Sequence, residues 1–130
     1  MCERARIVGV GCDLCAVSRM ARAIEKAHFT ERVFLPGERA YLEGRGRARA
    51  QSAAAMFAAK EAAAKALGTG FSQGVTPWMI EVAHGAQGAP QLVLHGAAQE
   101  RFAALCGGKA HLSLTHEGDI AMAVVILEGE

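Results

Sequence analysis

No apolar run in the chain approaches the ~20 residues that a membrane-crossing helix needs, so a membrane protein is not expected. Excess charge is also missing. The 14 Lys and Arg nearly balance the 13 Asp and Glu, leaving +1, whereas a general nucleic-acid binder carries a strong basic surplus. Cysteine is restricted to Cys2, Cys12, Cys15 and Cys106. Cys12 and Cys15 form one CxxC with no second pair, so the four-ligand zinc pattern is not met. A thioredoxin-like redox module on that CxxC stays open. The alternative is that Cys12 fills a strand position as a small hydrophobe. GxxxxGKS/T, HExxH and GxSxG are absent, and Gly9-Val10-Gly11 fails as a dinucleotide fingerprint because position 14 is Leu14. Met1 to Arg6 leads into only a short apolar stretch, Ile7 to Gly11, with no secretory core behind it, so a cytoplasmic location is expected. Neither a repeat nor a linker interrupts the 130 residues, and one domain spanning 1–130 is expected.

What is present divides into a helical half and a strand half. Arg6 to Gly11 is rich in β-branched residues and reads as a strand. Asp13 and Ser18 are N-cap candidates for a helix over Ala16 to Ala27, where Val17, Met20, Ala21 and Ile24 recur at helical spacing. Thr30 to Pro36 reads as a connection and Gly37 to Glu43 as a short helix broken by Gly44-Arg45-Gly46. Ala48 to Leu67 contains no Gly or Pro and is dominated by alanine, the best helix former. Gly68 suits its C-cap. Trp78 to Ala83, Gln91 to Leu94, Ala110 to His116 and Ile120 to Leu127 read as strands, with a hairpin turn at Gly85 to Pro90 and a short helix at Ala97 to Leu105. The pattern predicts an α+β fold.

Three segments carry chemistry. Gly9-Val10-Gly11-Cys12-Asp13-Leu14 puts a carboxylate just past a strand, where it serves either as an N-cap or as a metal ligand, and its glycines admit close approach by backbone or ligand. Phe57 to Gly70 (FAAKEAAAKALGTG) puts Glu61 and Lys65 at i and i+4 on one helix face, with Phe57 one turn earlier on the same stripe. Spacing alone allows either a surface ion pair of little energetic weight or a metal carboxylate beside a phosphate-binding ammonium. His111 to Glu117 (HLSLTHE) puts Leu112, Leu114 and His116 on one strand face and Ser113 and Thr115 on the other. Arg19, Arg22 and Lys26, at steps of three and four, form a basic stripe on the predicted first helix.

Taken together and in this order, these segments resemble the holo-acyl-carrier-protein synthase family, the small type of 4′-phosphopantetheinyl transferase. The resemblance runs from about Ile7 to Leu127 and rests on Gly11-Cys12-Asp13-Leu14, on FAAKEAAAKALGTG and on HLSLTH. It implies an α+β fold with a long central helix on a small antiparallel sheet, in a homotrimer with sites between subunits. It implies Mg²⁺-dependent transfer of 4′-phosphopantetheine from coenzyme A to a serine of an apo acyl carrier protein, releasing adenosine 3′,5′-bisphosphate. Asp13 and Glu61 would be the metal ligands, in keeping with the few carboxylates that Mg²⁺ takes from a protein. Lys65 would hold a phosphate as a point charge, and a water at the cation is favoured as base over Glu61 or Asp13. Lys65, Gly68, Gly70, Pro90 and His116 would contact the coenzyme, and Arg19, Arg22 and Lys26 the acidic carrier.

The chain departs from the family pattern at Met56, where family members often have arginine, at Met79 for an acidic residue, and at Cys12 for an aliphatic one. Arg49 or Lys60 would have to replace the missing arginine, or coenzyme binding is weaker. The competing expectation is therefore a homologue that binds coenzyme A or carrier with weak or no transfer.

Overall fold

The computed structural model describes residues 4–130. In chain order the elements are β1 (Arg6–Ala16), α1 (Val17–Ala23), α2 (Ala27–Val33), α3 (Pro36–Glu43), α4 (Arg49–Leu67), β2 (Ile80–His84), β3 (Pro90–Leu94), α5 (Gly96–Ala104), β4 (Gly107–Glu117) and β5 (Ile120–Gly129). An antiparallel sheet of order β1-β5-β4 and a β2-β3 hairpin give the expected α+β arrangement.

α4 is the axis. Its 19 residues span about 28 Å at 1.5 Å per residue. Ala53, Ala54, Ala58, Ala59, Ala62, Ala63 and Ala64 are almost wholly buried, so neighbours reach the helix from several sides. The helix stops at Gly68, whose φ of 81° is left-handed. The Thr69 N–H then bonds the Ala64 carbonyl at 3.3 Å, a Schellman closure, and Arg101 Nε donates to the Leu67 carbonyl at 2.8 Å.

β1 lies against α4 with almost nothing between them. A Cβ on Gly9 would run into the Ala66 carbonyl, and one on Gly11 into the Ala62 carbonyl. Only glycine permits that approach. Because side chains alternate along a strand, Asp13 and Cys15 face the helix with Gly9 and Gly11. β5 completes the layer through Ala121, Ala123, Val125 and Leu127, each at most 1% exposed.

A buried ion pair ties α4 to α3 and the hairpin. Glu38 and Lys60 meet at 2.8 Å with side chains 1% and 0% exposed. Glu38 also accepts the Leu35 N–H at 2.8 Å and the Val82 N–H at 2.7 Å. Lys60 donates to the carbonyls of Pro77 at 3.0 Å and Ile80 at 2.7 Å. All three ammonium protons are used, as a buried charge requires. Burial pushes the Lys60 pKa down, and Glu38 opposes that shift. Lys60 is thus unavailable to replace the arginine missing at position 56.

Several expectations need correction. β1 runs on to Ala16, so Asp13 is a strand residue and not an N-cap. The helix expected over Ala16 to Ala27 ends at Ala23, Lys26 is extended, and α2 (Ala27–Val33) occupies part of the Thr30 to Pro36 segment expected to be a connection. The break lets Phe29 turn back onto Phe34 and Phe57, at ring distances of 6.3 and 6.1 Å. Ser18 is not the cap residue of α1. Instead its N–H and hydroxyl bond the Asp119 carboxylate at 2.9 and 2.6 Å, across 101 residues. Pro77–Met79 forms a 3-10 turn, and the strand expected from Trp78 starts at Ile80. Trp78 is drawn out of line by its Nε1 bond to the Glu31 carbonyl at 2.7 Å.

The CxxC reading also fails. Cys12 is exposed and Cys15 buried, and three strand steps separate them by about 10 Å, beyond disulfide reach. Cys12, Cys15 and Cys106 are free thiols, and Cys2 lies outside the described residues. No helix among the described residues is long and apolar enough to cross a membrane.

Candidate active site

Asp13, Glu61 and Lys65 come together where β1 crosses α4. Lys65 Nζ bonds Asp13 Oδ1 at 2.9 Å and the Cys12 carbonyl at 3.1 Å. Asp13 is about 20% exposed and Lys65 about half. The Asp13 hydrogen bond and charge raise the Lys65 pKa, so the ammonium stays charged. The Glu61 pKa is raised first by burial and second by the Asp13 charge, while Lys65 opposes the shift. Glu61 thus senses the charges of both Asp13 and Lys65, while Lys65 pairs with Asp13 alone, and a second carboxylate beside that pair gains from a further positive charge. No group of three or more His, Cys, Asp or Glu gathers among the described residues. A pair of carboxylates fits Mg²⁺, which completes its shell from water and phosphate oxygens.

His116 and Pro90 stand elsewhere, in the wall of a cavity of about 340 Å³, a size suited to a small ligand. Gln51 Nε2 and His116 Nδ1 lie at hydrogen-bond distance, 3.1 Å. Across the cavity Tyr41 stacks on His84 at 3.9 Å and 9°, and the Arg45 guanidinium lies over Tyr41 at 5.4 Å. Burial and Arg45 lower the His84 pKa, favouring a neutral ring. Met56 lines the same wall. Gln51 and Glu61 are ten residues apart on α4, or about 15 Å, so the cavity and the carboxylate pair are separate within one chain.

Gly68 and Gly70 follow α4 with φ of 81° and 58°, and nothing would lie within 4 Å of a Cβ on Gly70. Arg19 and Arg22 are exposed on α1, but Lys26 lies beyond that helix, so the three do not share one helical face. Arg19 instead edges a small cavity of about 140 Å³ with Cys15, Met20, Phe29 and Phe57.

Tyr41, Arg45, Gln51, Ser52 and His84 were not found from the sequence. They meet across the α3–α4 connection and the β2 end, and no local spacing signals them. Only the Gly44-Arg45-Gly46 break marks the place, and it reads as a turn.

The profile of the 4′-phosphopantetheinyl transferase superfamily matches residues 9–125. The chain belongs to that superfamily. It is 52% identical over 128 residues to a holo-[acyl-carrier-protein] synthase of Methylobacterium sp. (strain 4-46), covering 94% of each chain. Among solved structures it resembles the holo-[acyl-carrier-protein] synthase of Neisseria meningitidis, with a TM-score of 0.83, 30% identity, and 94% and 98% coverage of the two chains. The Bacillus anthracis str. Ames enzyme in complex with CoA (3′,5′-ADP) gives a TM-score of 0.79 at 33% identity, covering 95% of this chain and 98% of that one.

The Glu61 shift has a thermodynamic sign. A carboxylate whose pKa is raised on folding binds more protons folded than unfolded, so stability falls as pH rises through that window and the penalty persists above it. Glu61→Gln is expected to keep or raise the melting temperature at pH 7, with the difference shrinking in acid. Differential scanning calorimetry across pH checks this, and a lower melting temperature at pH 7 contradicts it.

Proposed function

We propose that this chain acts as a holo-[acyl-carrier-protein] synthase, transferring 4′-phosphopantetheine from coenzyme A to a serine of an apo acyl carrier protein, with Mg²⁺, and releasing adenosine 3′,5′-bisphosphate. The observation that carries this reading is the convergence of Asp13, Glu61 and Lys65. Asp13 and Glu61 hold the cation. A Mg²⁺ held by these two carboxylates would supply positive charge against the charge developing on the phosphates. Lys65, already charged and half exposed, turns its ammonium to a coenzyme phosphate. Neither carboxylate takes the serine proton while serving as a ligand, so water accepts it. Pro90 and His116 contact the coenzyme from the cavity wall, and Gly68 and Gly70 leave its path open.

Mass spectrometry of an apo acyl carrier protein incubated with the chain, coenzyme A and Mg²⁺ should show the added arm. EDTA should abolish the gain, and Asp13→Asn should reduce it by more than the roughly 10–100-fold typical of a residue that only supports a ligand. No gain with several carriers would favour the homologue that binds without transfer.

The carrier is read as docking on α1 through Arg19 and Arg22, with Lys26 contributing from the start of α2. Opposite charge on an acidic carrier would speed encounter and orient it. Arg22→Glu should raise the KM for carrier and leave that for coenzyme A unchanged, and equal changes in both would count against the docking face.

We further read the chain, as one transferase domain over residues 1–130, as a homotrimer with sites between subunits. Val10 and Leu14 on β1 are 58% and 59% exposed and Ile120 on β5 is 41% exposed, beside half-buried Met122, Val124 and Ile126. An apolar sheet face of this kind calls for a cover, and another copy would bring its cavity toward this chain's carboxylates. Leu14→Glu should dissociate the assembly in sedimentation velocity and abolish transfer, and a fully active monomer would refute the shared site. A cytoplasmic location is supported by the free thiols at Cys12, Cys15 and Cys106.

A further inference from the structure

α1 carries Arg19 and Arg22, yet nothing local holds its first turn. Its seven residues fall short of the roughly 12–15 that a helix needs to stand alone in water. The Ala16 side chain caps nothing, and no acidic residue occupies the first turn. Asp13, three residues before Ala16, is turned to Lys65 instead. Met20 and Ile24, 3% and 6% exposed, bury one side of the helix, but they lie in its middle and at its end.

The missing cap comes from the far end of the chain. The Val17 N–H bonds the Asp119 carbonyl at 2.7 Å. The Ser18 N–H donates to Asp119 Oδ1 at 2.9 Å and the Ser18 hydroxyl to Oδ2 at 2.6 Å. Asp119 belongs to the turn between β4 and β5, three residues after His116. Both carboxylate oxygens are engaged with Ser18, and among the described residues Asp119 forms no ion pair. A carboxylate placed there satisfies N–H groups that the helix leaves open and opposes the positive end of its dipole. Arg22 stands four residues after Ser18 on the same side of α1, so fixing the first turn also fixes the direction in which Arg22 points.

We propose that Asp119 is a positioning residue for the acyl carrier protein. By capping α1 from the β4–β5 turn it holds Arg19 and Arg22 in the orientation in which they meet an acidic partner. The inference rests on the carrier-docking reading above. Asp119 has the same sign of charge as that partner, so it does not attract the carrier and acts only through α1. Ordering of the helix is thereby completed on folding and not on docking, which favours binding. Neither Asp119 nor Ser18 lines the cavity of Pro90 and His116, so the effect is confined to the carrier.

The test follows Asp119→Ala, Asp119→Asn and the double variant Ser18→Ala with Asp119→Ala, by amide hydrogen exchange and by steady-state transfer. Loss of the cap should speed exchange of the α1 amides roughly 2- to 30-fold. The KM for carrier should rise by up to that factor, with kcat and the KM for coenzyme A unchanged. Asp119→Asn, which keeps a capping oxygen, should recover most of both effects. Adding Ser18→Ala to Asp119→Ala should have no further effect, because the two residues form one contact. Unchanged exchange in Asp119→Ala, or equal rises in both KM values, overturns the proposal. Faster exchange with an unaltered carrier KM overturns it too, and Arg22→Glu then separates the two readings. If Arg22→Glu still raises the carrier KM, docking on α1 stands and only the role of Asp119 falls. If Arg22→Glu is also silent, the docking reading falls with it.

Discussion

The close approach of β1 to α4 is the contact on which the rest depends. Gly9 and Gly11 remove the side chains that would hold the strand off the Ala62 and Ala66 carbonyls, and the buried alanines of α4 remove them on the other side. Strand alternation then aims Asp13 at the same helix, and Glu61 and Lys65, one turn apart, meet it there. The two acids thus share one face of a rigid element, and the Glu61 pKa is raised first by burial and then by the Asp13 charge.

The same helix is fixed from behind. Glu38 and Lys60 lock the helix to α3 and to β2, so the residue next to Glu61 cannot rotate without exposing a buried charge. Removing one partner of such a pair typically costs about 3–5 kcal/mol. Within the KEA run, Lys60 therefore secures the helix and Glu61 faces the site.

How legible this was in the sequence depended on range. α4 was readable because alanine content and Gly68 act locally. The strands of the second half were readable from β-branched alternation, apart from Trp78, whose bond to the Glu31 carbonyl overrides local preference. The α1–α2 break was not readable, because it serves the packing of Phe29 on Phe34 and Phe57. Asp13, Glu61 and Lys65 were named through family resemblance, since spacing alone could not bring position 13 to position 65. Tyr41 escaped because its stacking partner His84 lies on β2, and Arg45 because its place between Gly44 and Gly46 reads as a turn although Tyr41 and Ser52 are near in sequence.

The central claim is that Asp13 and Glu61 form one divalent-cation site. Its most direct test is Mn²⁺ binding, followed by water-proton relaxation in wild type, Asp13→Asn and Glu61→Gln at equal concentration. The account predicts one bound ion per chain in wild type and loss of that binding in each variant. Wild-type affinity in either variant would contradict it.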